Sequence, residues 1–499
     1  MRQAIYILFA VAYILLSSQQ ISLRKSPDLG RALRDGELVM AGETAVLHQN
    51  FYSYSNPAAE FSNHHWLSEL LAYGASKAVG WEGLNLCYMA LGAVAFLLYF
   101  RIGEHEAGLP VTAPFAAALM PLMIVRSGVR PEVFSMLLLA VFFTVLWRVH
   151  RGTLPARWLW MLPVLEMLWV NFHAGFALGP VIIGTFLAAA LIDCRETGWA
   201  ASASKFSTLA AILVLTILAG LVNPNGIRGL LFPVTVSSNY GMDVQENLSM
   251  FRLQDTPVVP IMEIAILFLA GVWVMAYRRR VRIEWPLLLL SGSFGLMSLV
   301  FYRIYVFAGG FLLVAICLNI ARFRASPKTV KAKKKEKPST AWVGWIWAAA
   351  LCGIIAFAAP RWNNAGLGLE AGDADLSEFL HTNHIAGKVF NGFANGAYLI
   401  HYLPEQKVYI DSRPEAYPAA FVRDDYTRAL QNEDAWRRIV AMYDFDFICF
   451  IQMNREEGQF ILRRLQDPEW AAVRAASDVV LVRRKPQFAD VIAKHQLRF

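Results

Sequence analysis

Apolar residues run along most of this chain in blocks of about 15–20, each closed by a short polar or basic stretch, which is the length an α-helix needs to cross a bilayer. The candidate spans are 3–21, 83–100, 111–126, 132–147, 158–171, 175–192, 206–222, 259–276, 284–301, 304–320 and 341–359, about eleven membrane helices. The first apolar stretch, Ala4 to Leu16, follows Arg2 and is followed by Ser17, Ser18 and Gln19 rather than by a small-residue cleavage site, so it reads as a retained helix. Between the first two spans lies a long loop, 22–80. It holds two amphipathic stretches: 28–39, behind Pro27, and 66–79, suited to lie at a membrane interface. After Pro360 the pattern changes. Short apolar runs at 388–390, 407–410, 447–451 and 479–482 predict strands, and 375–382, 394–402, 418–431 and 434–443 predict helices. The expectation is a membrane domain over 1–359 and a small α/β domain over 360–499. That tail contains no glycine-rich nucleotide loop, so it is expected to carry no catalytic site of its own.

Charge fixes an expected orientation. Only 17% of the residues are charged, against roughly 25% in soluble domains, and the net charge is +8. The basic residues sit between apolar blocks, and no zinc-finger or RNA-binding motif points to nucleic acid. Arg148, Arg151 and Arg157, then Arg278, Arg279, Arg280 and Arg282, then the basic loop 321–338 with Lys333, Lys334 and Lys335, all fall on one side. That side is expected to be cytoplasmic, with the N-terminus, which places loop 22–80 and the tail outside the cell. The five cysteines, Cys87, Cys194, Cys317, Cys352 and Cys449, show no metal-ligand spacing and read as apolar fillers.

The polar groups that interrupt the apolar pattern gather on the expected outer face. They are Asp28, Asp35 and Glu37 with Asn63, His64 and His65 in the first loop; Arg126, Arg130 and Glu132; Asn171 and His173; Asn223; and Arg303. Arginines supply forked hydrogen bonds to phosphate oxygens. A carboxylate near the surface can take the proton of an acceptor hydroxyl. Histidine and asparagine can bind sugar or diphosphate oxygens, and a groove between helices would take a lipid tail. Glu166, inside the fifth span, is expected to face a neighbouring helix. Each group also has a structural reading: arginines reaching headgroups, asparagines ending helices, Asp28 complementing a helix dipole.

The order of short motifs carries a resemblance. Pro27-Asp28-Leu29, Phe51-Tyr52-Ser53-Tyr54 and Asn63-His64-His65-Trp66 are followed by Arg130-Pro131-Glu132 and Asn171-Phe172-His173-Ala174-Gly175. Asn223-Pro224-Asn225-Gly226 and Ile410-Asp411-Ser412-Arg413 complete the series. Together they resemble a group of bacterial polytopic membrane proteins similar to the GT-C-type glycosyltransferases, along nearly the whole chain. The resemblance implies transfer of a sugar from a polyprenyl-phosphate-linked donor to an extracytoplasmic glycan, lipid or protein acceptor at the bacterial inner membrane. It implies Asp28 as the catalytic acid residue, either general base or metal ligand. Arg126, Arg130 and Arg303 would bind phosphate, and His64, His65, Asn171, His173 and Asn223 would line the pocket. It leaves room for a divalent metal, although Asn50 and His65 stand where carboxylates are common, and Gly30, Arg31 and Ala32 stand where aromatics and a histidine are common. Two other readings remain: a non-enzymatic component that binds lipid-linked glycan in surface-polymer assembly, and a transporter, against which the absence of a clear internal repeat speaks.

Overall fold

The computed structural model describes residues 2–126, 128–197, 199–235, 247–253, 255–324 and 366–498. The expected span 341–359, most of the basic loop 321–338 and the boundary near Pro360 lie outside the described residues. The chain divides into two compact units. One comprises Met1–Gln19, Leu84–Gly226 and Val244–Leu367; the other comprises Gln20–Gly83, Ile227–Asp243 and Gly368–Phe499. The long first loop therefore folds with the tail.

The first unit is helical. Among the described residues five helices are long and apolar enough to cross a membrane, running over Trp66–Ala107, Glu132–His150, Ala174–Cys194, Val259–Arg278 and Tyr302–Phe323. Shorter apolar helices cover Arg2–Ser17, Leu109–Ile124, Ala203–Ala219 and Trp285–Val300, and a further helix covers Met161–Phe172. Each of the first ten expected spans thus coincides with a helix. The helix over Trp66–Ala107 is broken at Gly80, whose φ of 69° and ψ of −173° suit only glycine. Residues before the break belong with the tail, and those from Leu84 onward belong with the membrane helices. The helix over Tyr305–Arg324 is buried along nearly its whole length, as Phe311, Leu312, Leu313, Val314 and Ala315 show. It is the central staff of the bundle.

The second unit is built on a four-stranded sheet in the order β1-β2-β4-β3, with β1 Val389–Asn391, β2 Phe447–Ile451, β3 Trp470–Ala475 and β4 Asp478–Arg483. β1 and β2 are parallel; β2 with β4 and β3 with β4 are antiparallel. Every residue of β2 is buried, as a strand covered on both faces requires. The core around it is aromatic: Phe390, Tyr409, Trp436, Phe445, Phe450 and Phe460 pack together. Helices Glu433–Tyr443 and Arg455–Leu465 start on asparagine caps, the second through a reciprocal Asn454–Glu457 capping box.

Two expectations for the tail are corrected. Residues 407–410 do not form a strand. The Asn391 amide takes their place in the ladder, accepting from Tyr409 N at 3.0 Å and donating to Ile410 O at 2.7 Å. Val408 makes a single bridge to Ser53 of the first loop. Residues 418–431 are not one α-helix: a wide π-helical turn over Phe421–Thr427 precedes the short helix Arg428–Gln431.

Candidate functional site

In the unit that contains the tail, the helix Leu29–Met40 follows Pro27 and presents one apolar face. Its start is capped by Ser26, whose hydroxyl accepts from Leu29 N at 3.2 Å. Asp28 occupies the N-cap position, yet its carboxylate makes no capping bond to the helix. Instead the Ser412 hydroxyl, from the tail, lies 2.7 Å from Asp28 Oδ1 and 2.7 Å from Pro27 O.

Beneath Asp28 the helix buries a charged network. Arg31 pairs with Asp35, one helical turn on, and with Glu69 at 2.9 Å. Tyr52 donates to Asp35 at 2.5 Å, and the Asn63 amide donates to Glu69 at 2.6 Å. A second set lies in the tail. Arg413 makes a forked pair with Asp411, Nε to Oδ1 at 2.8 Å and Nη2 to Oδ2 at 2.7 Å, and reaches Asn50 at 2.9 Å. Its guanidinium stands 4.5 Å from the Phe61 ring centre. The Asp411–Arg413 pair therefore orders its own turn, as a local pair should.

Two buried arginines thus serve three buried carboxylates. Burial raises Asp411, but the adjacent Arg413 more than offsets it and holds the carboxyl below its usual range. Burial pushes Asp35 up, and pushes Glu69 up to about 7, helped by the charge of Asp35. Burial likewise pushes Glu415, which feels the same two arginines, up to about 7. Glu69 precedes the Gly80 break and lies outside the expected membrane span. His64 and His65 sit in the same unit, their ring centres 3.8 Å apart, with Phe232 3.7 Å from His64. His64 Nδ1 lies 3.2 Å from Ser62 O.

In the membrane unit a second cluster forms at one end of the helices. Arg126, buried, pairs with Glu132. Arg126, Arg130 and His173 all lie near enough to act on Glu132 electrostatically, and Tyr302 feels Arg126. Arg303 follows Tyr302 in the turn Tyr302–Ile304. His173 Nδ1 accepts from Gly175 N at 3.0 Å and lies 2.7 Å from Ser135 Oγ, which itself accepts from Trp169 at 2.7 Å. These contacts place the ring proton of a neutral His173 on Nε2. Asn171 donates to Met167 O at 2.7 Å and to Val222 O at 2.8 Å, tying two helix ends together. Asn223 donates to Gly220 O and Gly226 O and shapes its own turn. Glu166 is fully buried, against Gly179 and Phe142.

Among the described residues no group of three or more His, Cys, Asp or Glu side chains is arranged to hold a metal ion. Asn50, where a carboxylate is common in the related pattern, gives its amide N–H to Ala416 O at 3.0 Å and its oxygen to Arg413. Among the described residues the donor set does not fit a divalent metal.

Several solved structures share this architecture. The oligosaccharyltransferase AglB from Archaeoglobus fulgidus, in complex with an inhibitory peptide and a dolichol-phosphate, matches with a TM-score of 0.59 at 13% identity, over 94% of this chain and 72% of that one. ArnT from Cupriavidus metallidurans, bound to undecaprenyl phosphate, matches with a TM-score of 0.52 at 13% identity, over 98% of both chains. The fold is that of the GT-C-type glycosyltransferases. At this identity the likeness establishes the fold alone. No family model matches the chain, and no curated protein matches it.

Sequence reasoning named Asp28 and Asp35, and quoted Tyr52 and Ser412 only within motifs, assigning no role to either or to Arg31. The four-residue spacing of Arg31 and Asp35 on an amphipathic helix is the signal that could have found the pair. Ser412 has no local signal, because its partner lies 384 positions away.

Proposed function

We propose that this chain is a membrane glycosyltransferase that moves a sugar from a polyprenyl-phosphate-linked donor to an extracytoplasmic acceptor at the bacterial inner membrane. The observation that carries the reading is the setting of Asp28. Its carboxylate stands at a helix start without capping that helix, and is held instead by a hydroxyl from the tail. Asp28 takes the proton of the acceptor hydroxyl as that oxygen attacks the anomeric carbon and the lipid phosphate leaves. Arg126, Arg130 and Arg303 bind the phosphate, and His64, His65, Asn171, His173 and Asn223 are the candidates for sugar and diphosphate contacts. The lipid phosphates named in the AglB and ArnT structures support a lipid-linked donor.

The test is mass spectrometry of surface glycans and lipid-linked sugars in cells with the protein, without it, and with Asp28→Asn. Loss of a positioned general base costs on the order of 10²–10⁴-fold in rate, so Asp28→Asn should reproduce the deletion while the protein remains inserted. Arg130→Ala should raise the donor concentration needed, and Arg130→Lys should recover only part of it, because lysine cannot form the fork. The second reading, a non-enzymatic binding component, draws on Asn50 and His65 standing in place of carboxylates. It predicts that deletion alters the glycans whereas Asp28→Asn leaves them unchanged.

A further inference from the structure

We propose that Ser412 is the positioning residue of Asp28, an inference that rests on the reading of Asp28 as the reacting carboxylate. The Ser412 hydroxyl has one proton and two acceptors, Asp28 Oδ1 and Pro27 O, each 2.7 Å away. With Asp28 ionised, the hydroxyl donates to it and fixes the plane of the carboxylate. When Asp28 holds the acceptor's proton, the acid donates to Ser412 Oγ and the serine turns its own proton to Pro27 O. One side chain thus satisfies the base before and after proton transfer, with no heavy atom displaced.

Ser412 is itself held rigidly. It lies between Asp411 and Arg413, both buried, whose forked pair is closed by the Asn50 contact to Arg413. Tyr417 locks the same turn: its hydroxyl accepts from Asp411 N and donates to Asp411 Oδ2, both at 3.1 Å. A rigid donor on a buried frame is what orients a catalytic carboxylate, because a side chain with two free torsions otherwise spends little time in the productive direction.

Full-length protein in membranes is supplied with undecaprenyl-phosphate-linked sugars extracted from the cells that make it, and released undecaprenyl phosphate is measured by mass spectrometry against donor concentration. Ser412→Ala should lower the maximal rate roughly 10- to 100-fold, the range expected for a lost hydrogen bond to a charged group, with the apparent KM changed less than about twofold. Ser412→Thr, which keeps the hydroxyl, should restore most of the rate. Ser412→Cys, nearly isosteric but a weak donor, should behave as alanine does and melt with the native protein. Asp28→Asn/Ser412→Ala should be no slower than Asp28→Asn alone, because the serine acts through the carboxylate. An inactive Asp28→Asn beside a Ser412→Cys of native rate overturns the positioning role alone. A fully active Asp28→Asn overturns the reading of the site and the inference with it. Additive losses in the double variant show a structural effect and also overturn it.

Discussion

At the residue scale, the site's most telling feature is an imbalance of charge. Arg31 and Arg413 are outnumbered by Asp35, Asp411 and Glu69, all buried in one unit. Burial and the charge of Asp35 raise Glu69 to about 7, so it takes up a proton in the folded protein well above the ordinary glutamate range. The sign of the consequence follows from proton counting. Between the ordinary glutamate range near 4.5 and about 7, the folded state holds a proton that the unfolded state has released. Stability from this group is therefore full below about 4.5 and falls as pH rises through 7. Asp411 works in the opposite direction: its lowered value adds stability above the ordinary aspartate range, lost only as pH falls below it. Thermal melting of the detergent-solubilised protein should decline between pH 5 and about 7. Glu69→Gln, neutral at every pH, should lessen that decline, the remainder coming from Glu415, which burial also raises to about 7. An unchanged slope in the variant would place the titrating group elsewhere.

At the element scale, the tail meets the Asp28 helix at backbone distance. A Cβ on Gly30 would stand 2.4 Å from Ala397 O, in the helix Gly396–Tyr402. Such an overlap with backbone cannot be relieved by turning a side chain, so Gly30→Ala should cost about 1–3 kcal/mol and lower the melting temperature. Gly184→Ala, with open space around the new methyl, should leave it unchanged or raise it. An aromatic at position 30 would likewise have no room beside Ala397 O. The helix itself was legible in the sequence, from Pro27 and the spacing of its apolar face. So were the ten described apolar helices of the first unit, since a bilayer would impose length and apolarity on each segment alone. The run 407–410 was misread because its apolar, β-branched pattern fits a strand, whereas the ladder partner is a side chain, Asn391, that no periodicity reports. β3 was missed because its Ala471 and Ala472 carry little strand propensity; pairing with β4 decides the matter. The clustering of loop 20–83 with the tail was illegible for a simpler reason: the bonds that join them, such as Ser412 to Asp28 and Tyr54 to Val389 O, span hundreds of positions.

At the scale of the whole molecule, the membrane helices have two chemically different ends, and this bears on orientation. At one end Glu284 accepts from Arg151 at 3.2 Å, lies 3.0 Å from His150 Nε2 and pairs with Arg322. Arg322 also donates to the carbonyl of Arg282, and Arg151 pairs with Glu106 at 3.1 Å. The C-terminal ends of the helices Trp66–Ala107, Glu132–His150 and Tyr305–Arg324 therefore meet the start of Trp285–Val300 in one basic layer. The opposite end gathers Arg126, Glu132, His173 and Tyr302. Arg151, Arg282 and Arg322, three of the residues that the charge asymmetry assigns to the cytoplasm, share the first layer. The orientation expected from the sequence, with the basic layer inside and the tail outside, can be tested directly. A reporter active only outside the cytoplasm should thus be active when fused after Phe499 and inactive when fused at Lys334. Fusions after Gly152 and after Arg282 should be inactive, and one in the first loop after Gly42 active, which tests each layer independently of the tail. Activity at Gly152 and Arg282 with silence at Gly42 and Phe499 would invert the molecule, place Asp28 and Arg130 in the cytoplasm, and remove the basis for a donor presented at the outer face.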